Sequence, residues 1–153
     1  WFLFYTNHFQ IQYTEFENDL YKIRTNSELT SEILCDRYFK ILKKYYGNNI
    51  TYDQIANVEW TRLGHLYRWS YYSYKYATGL LMASVVVDSL VDKKSLSKEE
   101  YIKFLSAGNS QYSLDLLKIL NIDLINTNII ESGFNVMAED IKELQKVLPL
   151  NKK

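Results

Sequence analysis

Arg62-Leu-Gly-His65-Leu-Tyr67-Arg-Trp69-Ser-Tyr71-Tyr72-Ser-Tyr74-Lys-Tyr76-Ala-Thr78-Gly79 holds one of the two histidines of the 153-residue chain and five of its 14 tyrosines. A segment needing only apolar bulk would use Leu, Ile or Phe, which bring no hydroxyl in search of a partner. At about 100° per residue, Tyr67, Tyr71, Tyr74 and Thr78 share one helical face, and His65, Trp69, Tyr72 and Tyr76 share another. Both faces are aromatic, so simple amphipathicity does not explain the run. Gly64 and Gly79 bracket it. Its first half reads as a loop or frayed turn, and its second half as the start of a helix continuing through Leu80–Val91. That continuation is apolar nearly all round and should sit centrally, touched by neighbours on most sides. Val85-Val-Val87 could alternatively form a buried strand, but length and the lack of a partner strand favour helix.

Outward from this stretch the chain reads as helix almost throughout. Phe2, Tyr5, Phe9, Tyr13, Phe16, Leu20 and Ile23 recur at steps of three and four, an amphipathic stripe ending near Arg24 at Thr25-Asn-Ser27. Thr30 is placed to cap a second helix burying Leu34, Tyr38, Ile41, Leu42 and Tyr45, stopped by Gly47-Asn-Asn. Thr51 with Gln54 fits a capping box, Ile50 with Ile55 its staple, for a short helix to about Arg62. Ser97 with Glu100 is a second box, stapled by Leu96 and Tyr101; Gly108-Asn-Ser110 ends that helix. Leu114 to Leu120 makes another. Asn128 is placed to cap the last, whose stripe is Ile130, Phe134, Met137, Ile141, Leu144 and Leu148, closed by Pro149. The expected fold is all-α, one compact subdomain of about six to seven helices.

Composition narrows the function. Eighteen acidic and 18 basic residues leave no net charge to attract nucleic acid or an anionic membrane. The longest apolar run, Gly79 to Val87, falls far short of the ~20 residues that span a bilayer. The single Cys35 forms no internal disulfide, has no basic neighbour to activate it, and reads as buried filler. His8, beside Phe9, reads as a structural histidine. Glu15 and Glu17, two apart, point different ways on a helix and suit salt bridges or solvation rather than paired catalysis. There is no Gly-x-Ser-x-Gly elbow for a serine hydrolase, and five glycines build no phosphate loop.

The run from His65 through Tyr-Ala-Thr-Gly79, a long helix, and Tyr101-Ile-Lys-Phe-Leu-Ser-Ala-Gly-Asn-Ser110 resembles the C-terminal part of oligoendopeptidase F, of the thimet-oligopeptidase-like zinc metallopeptidases. Glu15-Phe16-Glu17, Leu42-Lys-Lys-Tyr-Tyr-Gly47, Val58-Glu59-Trp60 and Leu114–Asp123 extend the likeness over nearly the whole chain. Gly64 where relatives tend to have Pro, Trp69-Ser70 for a more apolar pair, and Ser113 for a frequent Pro are departures touching loop stiffness.

The resemblance implies a cytoplasmic enzyme that uses zinc to hydrolyse short peptides. Zinc peptidases need His-Glu-x-x-His on a helix and a third ligand; this chain has only His8 and His65 and no such motif. In the family those ligands lie upstream of where this chain starts. Starting at Trp1 rather than Met, residues 1–153 are therefore read as the C-terminal helical subdomain of a larger enzyme, binding no metal and inactive alone. By the same likeness His65 is the substrate-contacting histidine. Tyr74 first and Tyr72 second are the catalytic oxyanion donors, and Tyr71 and Tyr67 assist substrate binding. Tyr67 and Tyr76 also read as packing or channel lining. The partners expected are peptide substrates and the catalytic portion, with Trp1–Phe4 a face for docking or self-association. The reading from another class is a stand-alone all-α module that binds peptide or protein through its aromatic groove without chemistry.

Overall fold

The computed structural model describes residues 5–148, and among them there are seven α-helices and no strand. Trp1–Phe4 and Pro149, singled out for docking and helix closure, lie outside the described residues. The chain divides into two units, one reaching to Thr78 and one beginning at Gly79. Val85-Val-Val87 is helical.

In the first unit a π-helical turn, Tyr5–Phe9, leads into α1 (Gln10–Arg24). α1 stops where expected, because small polar side chains offer its last carbonyls local partners. Thr25 Oγ1 donates to Lys22 O at 2.6 Å and Ser27 Oγ to Ile23 O at 3.3 Å. α2 (Ser31–Tyr46) opens on Thr30, whose hydroxyl accepts the Ile33 N–H, and closes on Gly47 at φ 71°, a conformation that favours glycine. Tyr13, Phe16, Tyr38, Ile41, Leu42 and Leu63 form the core between these helices. Phe16 meets Tyr38 edge-on at 5.2 Å, and Tyr13 stacks on Tyr38 at 6.3 Å. Glu15 ties α1 to α2, accepting from Lys44 Nζ at 2.6 Å and from the Tyr45 hydroxyl at 2.9 Å.

The capping box expected at Thr51 is absent. After Tyr46 the chain makes a 3₁₀ helix, Ala56–Arg62, with no side-chain cap. Asp53 Oδ1 accepts the Ile55 N–H at 3.1 Å, an Asx turn, and Ile55 is 70% exposed, so no staple forms. α3 (Gly64–Arg68) and the opening turn of α4 (Tyr74–Val87) complete this unit.

In the second unit the rest of α4 passes through a π turn, Asp88–Asp92, to α5 (Lys98–Ala107), α6 (Ser113–Lys118) and α7 (Thr127–Val147). Leu81, Met82, Val85, Leu96, Leu120 and Ile122 form its core. The Ser97–Glu100 capping box is present in both directions, and Gly108 at φ 54° ends α5. Asn126, not Asn128, caps α7: its side chain accepts the Asn128 N–H at 3.0 Å, so the helix begins earlier than the spacing predicted. α4 buries one side rather than its whole circumference, since Val87 and the following Val91 are exposed. Gly133 lets α7 approach α4 closely; a Cβ there would lie 2.6 Å from Leu81 Cγ.

Candidate functional site

The aromatic stretch is not one helix. α3 ends at Arg68, Trp69 is extended at φ −143° and ψ 98°, and Tyr71 takes the left-handed conformation at φ 51°. For a residue with a bulky side chain that conformation costs about 1–2 kcal/mol. The offset comes from α1. Glu17, 4% exposed, accepts the Tyr71 N–H at 2.7 Å. A hydrogen bond to a charged group contributes about 1.5–3 kcal/mol, enough to hold the strained residue. One helical turn on, the Tyr21 hydroxyl donates to Ser70 Oγ at 2.9 Å and its ring stacks on Tyr71 at 5.1 Å.

Across that break the rings converge. His65 from α3 stacks on Tyr72 with centroids 5.1 Å apart and planes 15° apart. Trp69 lies 6.0 Å from the imidazole and 5.6 Å from Tyr72. Tyr76 sits 5.5 Å from both His65 and Tyr72, and its hydroxyl is 3.3 Å from His65 Nε2, one donating and the other accepting according to the imidazole tautomer. Lys75 Nζ stands over the Tyr72 ring, 5.0 Å from its centroid. Desolvation, helped by the neighbouring Tyr72 phenol, raises the Tyr76 pKa above its ordinary 10.0, so this hydroxyl keeps its proton at neutral pH. The face assignment 65-69-72-76 is thus realised even though the helix that suggested it is broken.

The other site candidates are elsewhere. Tyr74, 45% exposed, opens α4 outside the ring group on His65. Tyr71 faces Tyr21. Tyr67, exposed, borders a groove of about 260 Å³ lined by Leu20, Tyr21, Leu34, Trp60 and Leu66. Two residues gain importance over the sequence reading. Tyr76, expected as packing or channel lining, is exposed and bonded to the imidazole. Glu17, expected in salt bridges or solvent, is buried against backbone. A signal for it exists in the sequence: Glu17 lies four after Tyr13 and three before Leu20 on the apolar stripe, and a carboxylate there must have a dedicated partner.

Among the described residues no group of three or more His, Cys, Asp and Glu is placed to hold a metal. His8 packs between Tyr45 and Tyr46, ring centroids 5.0 and 5.2 Å away, and burial lowers its pKa. Cys35 is half-buried on α2 rather than buried filler. No helix among the described residues is long and apolar enough to cross a membrane. What the site offers is a set of neutral donors around one imidazole, suited to grip a polar, uncharged group such as a peptide carbonyl.

The model of a family described as "Peptidase family M3" matches residues 4–136. Oligopeptidase PepF of Bacillus subtilis is 33% identical over 140 residues, 91% of this chain and 21% of the relative. An oligoendopeptidase F homolog of Borreliella burgdorferi is 33% identical over 139 residues, 90% of this chain and 23% of the relative. The crystal structure of oligoendopeptidase-F from Enterococcus faecium superposes with a TM-score of 0.85 at 31% identity, over 94% of this chain and 27% of that one. The chain therefore spans between a fifth and a little over a quarter of the length of these proteins.

Proposed function

The chain belongs to peptidase family M3, and from that premise we propose that it supplies the substrate and transition-state contacts of a zinc-dependent endopeptidase acting on short peptides. The observation that carries this reading is the His65–Tyr72–Tyr76 group, an imidazole stacked on one phenol and hydrogen-bonded to another at the surface.

Attack on a scissile carbonyl places negative charge on its oxygen. A phenol O–H about 2.7–3.1 Å from that oxygen stabilises the charge, because the donor is fixed before the charge forms. Tyrosine is suited to this, being neutral at pH 7. Tyr72, stacked against His65, and Tyr74, open to solvent at the head of α4, are the proposed donors. His65 holds the substrate backbone, with Tyr71 and Tyr67 along its path. Zinc supplies Lewis acidity in such enzymes. The described residues provide no ligand set for it, so the isolated chain should not hydrolyse peptides, and its role is to complete a site whose metal is held by other residues.

The test uses the full-length peptidase. Tyr72→Phe, Tyr74→Phe and His65→Ala are compared by kcat and KM on a short fluorogenic peptide. The residue that donates to the carbonyl oxygen should lose on the order of 10²–10³ in kcat with little change in KM. Unchanged kcat in all three variants removes the catalytic role and leaves a helical scaffold.

A further inference from the structure

We propose that Glu17, outside the ring cluster, is a positioning residue: its carboxylate, with Tyr21, clamps the Ser70–Tyr71 turn and thereby sets Tyr72 and Tyr76 over His65. This rests on the function proposed for that cluster. Four observations carry it. Glu17 is buried, yet the partner that meets it is a backbone N–H 54 residues away in sequence, at 2.7 Å, rather than a lysine or arginine. The residue it holds, Tyr71, is at φ 51°, where an L side chain rarely stays unaided. Tyr21, at i+4 on the same face of α1, reaches the preceding residue through Ser70 Oγ. The turn so clamped lies between α3, which carries His65, and α4, which carries Tyr76.

The consequence is geometric. With α3 and α4 separated by an irregular turn, nothing in helix periodicity fixes the rotation of one relative to the other. The clamp does so, by allowing one backbone conformation at residue 71. Releasing it lets Tyr72 and Tyr76 rotate away from the imidazole, and a displacement of about 1 Å at a reacting group costs up to about 10²-fold in rate.

The experiment is a set of variants in the full-length peptidase, with activity expressed per folded molecule from circular dichroism and thermal melts. Glu17→Ala should lower kcat on the order of 10- to 100-fold with KM changed less. Glu17→Gln, which retains an acceptor oxygen at the same reach, should recover most of that loss. The readout that separates positioning from general stability is a double-mutant cycle. Tyr71→Gly removes the strain, since glycine enters the left-handed region freely. Glu17→Ala should therefore cost several-fold less when combined with Tyr71→Gly than when Tyr71 is kept. Equal costs in both overturn the clamp. If Glu17→Ala does not fold, Glu17→Asp, which withdraws the carboxylate by one methylene, is read in its place against the same criteria. Loss of activity in His65→Ala with none in Glu17→Ala overturns this inference alone; no loss in the His65, Tyr72 and Tyr74 variants overturns the function beneath it as well.

Discussion

Tyr13 and Tyr38 stack in the core between α1 and α2, and burial pushes the Tyr13 phenol up to about 12 and the Tyr38 phenol further still. Tyr71, Tyr74 and Tyr76, in the same unit, each keep more than a third of their surface open to water. The residue type is the same and the environments are opposite. Backbone continuity separates the two sets. Tyr13 and Tyr38 sit on unbroken helices, where the inward positions meet one another in the core. Tyr71 to Tyr76 flank an interruption, where a strained turn holds rings side by side at the surface. A dense run of tyrosine is therefore ambiguous by composition alone, and here the rings stay at the surface where the chain also breaks its helix.

The sharpest way to break this comparison is truncation. Tyr38→Ala removes a fully buried ring and should cost about 3–5 kcal/mol, read from urea unfolding midpoints. Tyr74→Ala, at an exposed helix start, should stay within about 0.5 kcal/mol while lowering kcat in the intact peptidase. If Tyr74→Ala costs as much as Tyr38→Ala, the two sets do not differ and Tyr74 is core.

Alkaline pH gives the next largest effect. The folded-state pKa of Tyr13 lies at about 12 against an ordinary 10.0. The shift is upward on an acid, so the native state binds its proton more tightly than the unfolded chain does. The associated stability is fully present below pH 10 and is lost as pH rises toward 12. For one such group that is roughly 2–3 kcal/mol. Urea unfolding at a series of pH values should show the fall in that window, and Tyr13→Phe should lessen it, with the Tyr38 and Tyr45 phenols, also raised by burial, carrying the remainder. A fall that begins well below pH 10 would mean that other groups drive alkaline unfolding.

The same contrast explains what was legible beforehand. The end of α1, the Thr30 and Ser97 caps and the glycine stops at Gly47 and Gly108 depend on residues within four positions of one another, and each stands where the spacing put it. The Thr51–Gln54 box did not form, and the local side-chain bond found there is instead Asp53 Oδ1 accepting the Ile55 N–H. At the last helix Asn126 caps two residues earlier than Asn128, its side chain accepting the Asn128 N–H. The face shared by His65, Trp69, Tyr72 and Tyr76 was readable from a helical wheel, and a change from loop to helix was expected within it; what was not readable is that Gly64–Arg68 is itself helical and that the break falls after it, before Tyr74. That break depends on Glu17, far away in sequence, and no local pattern encodes such a contact.

The smallest expected effect probes the hydroxyl nearest the imidazole. Tyr76→Phe keeps the ring, and so keeps its contacts with His65 and Tyr72 at 5.5 Å. It deletes only the oxygen 3.3 Å from Nε2. At an exposed position, water replaces that partner, so the unfolding midpoint should not move. The imidazole should still register the change. Its Nε2 ¹⁵N resonance should shift in the variant while backbone amides of α1 and α2 do not, since Tyr76 lies outside the core those helices share. A midpoint that drops with Tyr76→Phe would place this hydroxyl among the buried phenols and erase the distinction between the two sets at its closest point. A resonance that stays fixed would remove the hydrogen bond, and leave His65 held by ring contacts alone.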